Sequence, residues 1–147
     1  MSLKDRIQQD VKDAMRAKDK ERLAAIRLIT AAIKQREVDE RIELDDEQVL
    51  LVLDKMCKQR RESISQFEKA GRDDLVAKEV SELEIIHGYL PRQLDDEEIA
   101  ALIDVALAET GASSIKDMGK VMGQLKPQLQ GRADMSAVSA MIKSRLA

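Results

Sequence analysis

Aromatic residues are nearly missing from this chain of 147 residues: there is no tryptophan, one phenylalanine (Phe67) and one tyrosine (Tyr89). Modules that read single-stranded nucleic acid stack bases on aromatic platforms, and two isolated rings cannot build one. Any nucleic acid held by this chain is therefore held through phosphates or overall shape. The single cysteine, Cys57, cannot close an internal disulfide or contribute to a multi-thiolate metal site, and only one histidine, His87, accompanies it. No cofactor and no metal are expected from that inventory. Prolines are equally scarce, at Pro91 and Pro127, and both read as punctuation. No apolar run approaches the roughly 18 residues a membrane helix needs, and the start Met1-Ser2-Leu3-Lys4-Asp5 has no signal-peptide core. These absences make the cytoplasm the expected location.

What is present is aliphatic and charged. Hydrophobic residues make up 44% and charged residues 36%, with seven methionines and a formal net charge of −3. This is the composition of surface-exposed helices around an aliphatic and thioether core. The whole molecule is not a polyanion binder by net charge.

Helical periodicity runs through the chain and strand-like alternation does not. Ser2 is placed to cap a first helix with Leu3, Ile7, Val11 and Met15 on one face. A second helix starts near Asp19. Leu23, Ile26, Leu28, Ile29 and Ile33 make it apolar on most sides, which predicts a central helix. A charged link over Glu37 to Glu43 separates it from a third helix, which starts at Asp45 or Asp46 and ends at Gly71. Asp73 starts a fourth, with Val76, Val80, Leu83, Ile86 and Leu90 as its stripe. Leu90-Pro91 is a predicted break, because the residue before a proline is biased away from helical geometry. Arg92-Gln93-Leu94 is then a linker. Asp95 or Asp96 caps a fifth helix with Glu98 placed for a capping box, and Gly111 ends it. A sixth helix is predicted over Ser114 to Leu125, a loop over Pro127 to Arg132, and a seventh helix after Asp134. The expected fold is all-α: an N-terminal four-helix domain, residues 1–90, followed by a small three-helix C-terminal module, residues 91–147.

Three charges fall inside apolar stripes: Arg27, Arg60 and Glu79. Buried charges are costly unless paired. Arg27 and Arg60 are thus expected to converge on Glu79, with Glu82 as a further member. The simpler reading of such a network is that it fixes helix register; the sharper one is a polar cleft that takes a ligand. His87 lacks a neighbouring nucleophile or carboxylate pair, and Cys57 has no histidine within a turn. Both read as packed side chains rather than catalysts.

The segment Lys116-Asp117-Met118-Gly119-Lys120-Val121-Met122-Gly123 is the most informative stretch. A glycine inside a helix costs roughly 1 kcal/mol relative to alanine, and here two lie four residues apart. Met118, Val121, Met122 and Leu125 form the core face of this helix. Gly119 and Gly123 fall on roughly the opposite face, beside Lys116 and Lys120, where they let another backbone or a phosphate come close. Close packing of two helices is the alternative use of such glycines. Charge is polarised around them. Residues 91–110 carry one basic and six acidic residues, a balance of −5. Residues 111–147 carry Lys116, Lys120, Lys126, Arg132, Lys143 and Arg145 against Asp117 and Asp134, a balance of +4. A basic patch is the usual footprint for a phosphate backbone.

The run Glu79-Val80-Ser81-Glu82-Leu83-Glu84-Ile85-Ile86-His87-Gly88-Tyr89-Leu90-Pro91 resembles the domain junction of the GatB/YqeY family. Asp117 to Gly123, followed by Lys126-Pro127 and Gly131-Arg132-Ala133-Asp134, resembles that family's C-terminal signature. The resemblance covers nearly the whole chain and is to the free-standing YqeY-like branch. It implies kinship with the tail of the B subunit of the aspartyl/glutamyl-tRNA amidotransferase, where the module helps engage tRNA. It also implies a family-level class of carbon–nitrogen ligase with glutamine as amide donor. Carried over by motif, Gly119, Lys120, Gly123, Lys126, Gly131 and Arg132 become candidate tRNA contacts, and the basic patch adds Lys116 and Lys143. Where the family often continues with Gly-Lys after Gly-x-x-Asp, this chain has Met135-Ser136, one positive charge fewer.

Amide transfer needs a nucleophile to release ammonia and a nucleotide site to activate a carboxylate. The sequence holds no glycine-rich phosphate loop and no Ser-Lys or Cys-His constellation. The expectation is an accessory protein that binds tRNA, or docks on a tRNA-modifying or aminoacylating enzyme, and is not catalytic alone. A helical protein-interaction scaffold without nucleic acid is the alternative.

Overall fold

The computed structural model describes residues 1–147, which form seven α-helices, one short 3-10 turn and no strands. The helices are α1 (Leu3–Arg16), α2 (Lys20–Glu40), α3 (Asp46–Lys69), α4 (Asp73–His87), α5 (Asp96–Thr110), α6 (Met118–Leu129) and α7 (Met135–Leu146). The 3-10 turn, Ile115–Asp117, leads into α6. No helix is long and apolar enough to cross a membrane. The chain separates into two compact units, Met1–Leu90 and Pro91–Ala147.

In the first unit the helix starts follow local chemistry. Ser2 and Asp5 form a capping box on α1, Asp19 accepts from the Arg22 amide, and Asp45 forms a capping box with Gln48. Each satisfies amide groups that a helix N-terminus leaves without partners. The core gathers Ile7, Ile26, Ile29, Ile33, Leu53 and Ile86, each almost wholly buried, with Met56 and Cys57 beside them. Tyr89 closes the unit. Its hydroxyl donates to Asp10 Oδ2 at 2.6 Å, and the Arg6 guanidinium lies 5.0 Å from the ring centroid.

Two expectations for this unit hold only in part. The charged link is shorter than expected: α2 continues to Glu40 and turns at Arg41, which adopts a left-handed conformation at φ 55°, and residues 41–45 make the connection. Charged residues with good helix propensity extend a helix when one face still has a core to cover, and Glu37 meets Lys4 of α1 at 2.6 Å. Nor is α2 central. Ala25, Ile26, Ile29 and Ile33 are buried, while Leu28 and Val38 on its other side are exposed.

In the second unit Asp95 and Glu98 form the capping box of α5, and Gly111 takes the left-handed C-cap at φ 66°. Its core is Ile103, Val121, Leu125, Leu129, Val138 and Ile142. The predicted loop from Pro127 is corrected here too, because α6 runs through Pro127 to Leu129. Proline removes one amide and crowds the carbonyl four residues earlier. That carbonyl belongs to Gly123, which is exposed and bears no side chain. The chain turns at Gly131, buried at φ 78°.

Candidate functional site

Arg60, on α3, faces α4. Its Nε donates to Glu82 Oε2 at 2.9 Å and stands 3.5 Å from Glu79 Oε2. The three side chains are 14–20% exposed. Glu79 Oε2 is buried and accepts no hydrogen bond, so Glu82 holds the arginine and Glu79 is the junior partner. Arg27, expected in this network, is not there: it is exposed on α2 and in no ion pair. Its place on the wheel explains this, since it lies about 100–160° from the buried Ile26, Ile29 and Ile33 and so points off the covered face. Near the same α3–α4 seam, Arg61 Nη2 lies 3.5 Å from His87 Nε2. Burial first, and then the Arg61 charge, push the His87 pKa down, favouring the neutral ring. Burial pushes the Cys57 thiol up to about 11, which removes it as a nucleophile at neutral pH.

The second unit presents a different surface. Val121, Leu125 and Leu129 of α6 are buried, and Gly119, Lys120, Gly123, Lys126 and Pro127 form the exposed face. A Cβ added at Gly119 or Gly123 would meet nothing within 4 Å. These glycines therefore serve no packing inside the unit. Lys116, Lys120, Lys126 and Lys143 are exposed, and none is in an ion pair, whereas Arg92 and Arg145 are paired with Glu98 and Asp104. The Asp117 carboxylate is engaged by the Ser113 and Ser114 amides at 3.0 and 3.3 Å. Those amides, with a smaller contribution from Lys120, hold its pKa below the usual range.

Gly131 and Arg132 occupy a different place from the lysines. Gln93 Nε2 donates to the Gly131 carbonyl at 2.7 Å, the Leu94 amide to the Arg132 carbonyl at 2.8 Å, and Arg132 Nε to the Arg92 carbonyl at 3.3 Å. The Gly-Arg part of the signature thus ties the segment after Pro91 onto the α6–α7 loop. The family resemblance grouped Gly131 and Arg132 with the lysines because all fall within one C-terminal signature. Sequence reasoning passed over the Lys4–Glu37 pair, which joins residues 33 positions apart and leaves no local signal.

The family model of YqeY-like proteins matches residues 4–146, and the chain belongs to that family. Similar proteins include "Altered inheritance of mitochondria protein 41, mitochondrial" of Eremothecium gossypii, 37% identical over 96% of this chain and 79% of that protein. The protein of the same name from Kluyveromyces lactis is 33% identical over 95% of this chain and 79% of its own length. The one from Pyrenophora tritici-repentis is 34% identical over 94% and 77% respectively. The expectation of a cytoplasmic protein is corrected by these relatives, which are named as mitochondrial. The expectation rested on a missing secretory signal and a missing membrane run, and neither absence separates the cytoplasm from the interior of an organelle.

Proposed function

We propose that this protein is an accessory tRNA-binding protein whose two units act as separate domains, with the contact made by the outer face of α6. The observation that carries the reading is the combination on that face. Gly119 and Gly123 leave the helix backbone open, and Lys120 and Lys126 beside them are exposed and in no ion pair. Lys116, in the turn before α6, and Lys143, on α7, are further exposed lysines in no ion pair. Such a surface meets a phosphate backbone without reading bases, which agrees with the lack of aromatic platforms. Carbon–nitrogen ligase chemistry with glutamine as amide donor would then belong to an enzyme sharing the tRNA, since the only thiol is buried and held protonated.

A mobility-shift titration with total tRNA tests the reading. Binding is expected at low salt and falls steeply as salt rises. Lys120→Glu weakens it and reduces the salt slope by about 1. No binding at low salt, or binding indifferent to Lys120→Glu combined with Lys126→Glu, overturns it.

A further inference from the structure

The outer side of α2 is unexplained by anything above. Ala24, Leu28, Ala31, Gln35 and Val38 are all exposed, and Leu28 and Val38 reach 44% and 59%. At 100° per residue these five fall within a strip about 80° wide. Their spacing alternates four and three residues, the repeat of a coiled-coil seam. Ile42, just past the C-cap and 41% exposed, continues it. A helix with apolar residues on opposite sides is normally covered on both.

One flank of this strip is basic. Arg27, Lys34 and Arg41 recur every seven residues, each just before a seam position, and all three are exposed and outside any ion pair. Beside them, between α1 and α2, runs a cleft of about 820 Å³ lined by Ile7, Val38 and Ile42 as well as by Lys34 and Arg41. The carboxylates in that cleft are already engaged. Glu37 accepts from Lys4 and the Leu44 amide, and Glu43 stands 3.6 Å from Lys4. The uncommitted charge along the flank is positive.

We propose that the outer face of α2 is a docking seam for an amphipathic helix of a partner protein, one with apolar heptad positions and an acidic flank. Its apolar side chains cover Leu28, Ala31 and Val38, and its carboxylates meet Arg27, Lys34 and Arg41. A second copy of this chain is a poor occupant. An antiparallel pair sets the basic flank against itself, and a parallel pair sets it against Ala25, Ala32 and Asp39, only one of which is acidic. RNA phosphates would use the cations and leave Leu28 and Val38 without a role.

The probe is a synthetic helical peptide of about four heptads with leucine at the seam and glutamate on both flanks; its control carries lysine on the flanks. Binding to the full chain is read by fluorescence anisotropy. The glutamate peptide is expected to bind at least about tenfold tighter than the lysine peptide at low salt. Arg27→Glu with Lys34→Glu reverses that preference, and Leu28→Gln with Val38→Gln weakens binding about tenfold or more. All four side chains are exposed, so the variants are expected to fold, which thermal melts check. Equal affinity for the two peptides overturns the proposal, as does binding that survives the Leu28 and Val38 changes. A homodimer in sedimentation that Val38→Gln abolishes assigns the face to a second copy and overturns it too.

Discussion

Arg60 serves two carboxylates unequally, and that asymmetry sets what its loss does. With Arg60→Gln, Glu79 and Glu82 face each other with no cation between them. The expected loss is about 1–3 kcal/mol, the range for hydrogen bonds to charged groups, measured by urea unfolding. Glu79→Gln is expected to cost under about 1 kcal/mol, because Glu79 accepts no hydrogen bond to lose. Glu98 is the most strongly shifted carboxylate. Arg92 donates to both of its oxygens, at 2.9 and 2.6 Å, and that pair, followed by the Asp95 amide, lowers its pKa from 4.5 to about 2. A depressed carboxylate stabilises the fold above its unfolded pKa and loses that contribution as pH falls through its folded one. Thermal melts should therefore separate wild type from Glu98→Gln at pH 7, with the gap closing between about pH 4.5 and 2. At this scale Arg60 and Glu79 were legible from the wheel, because each sits within an apolar stripe, and Glu82 entered only as a neighbour of Glu79. Arg27 was not, because a stripe counted by apolar content says nothing about which side is covered.

At the scale of the element, α6 is the helix whose end sequence rules misjudge. Proline reads as a stop, yet the helix closes two residues beyond Pro127. One helical amide is missing, so the Gly123 carbonyl lacks its donor four residues on. Exposure lets water supply it. Pro127→Ala restores that amide, and the expected result is a gain of up to about 3 kcal/mol in the stability of α5–α7, read by urea unfolding. No gain would mean that the Gly123 carbonyl already has a donor of equal worth. The helix starts at Ser2 and Asp19 were legible, and those at Asp45 and Asp95 to within one residue, since a side chain two or three residues from an amide needs no tertiary help. The end of α2 was not, since its last turn is held by Lys4 from α1.

Across the whole molecule, two apolar clusters with no shared residue account for the two units. Leu53 and Leu125 are each fully buried in one of them. Either leucine replaced by alanine should cost about 2–5 kcal/mol. Hydrogen exchange should locate the loss: α5–α7 lose protection with Leu125→Ala while α1–α4 keep theirs, and the reverse holds for Leu53→Ala. Protection falling throughout the chain in either variant would show that the units unfold together.

The chain's own sequence determined that the protein is all helix, where most helices begin, and that Gly119 and Gly123 face away from their core. These are local matters of periodicity, caps and 100° spacing. Tertiary structure alone decided which side of α2 is covered, which of three misplaced charges are paired, and that Gly131 and Arg132 anchor the segment after Pro91. Each of those depends on groups tens of residues apart along the chain, and distance along a sequence carries no information about distance in space until the core has closed.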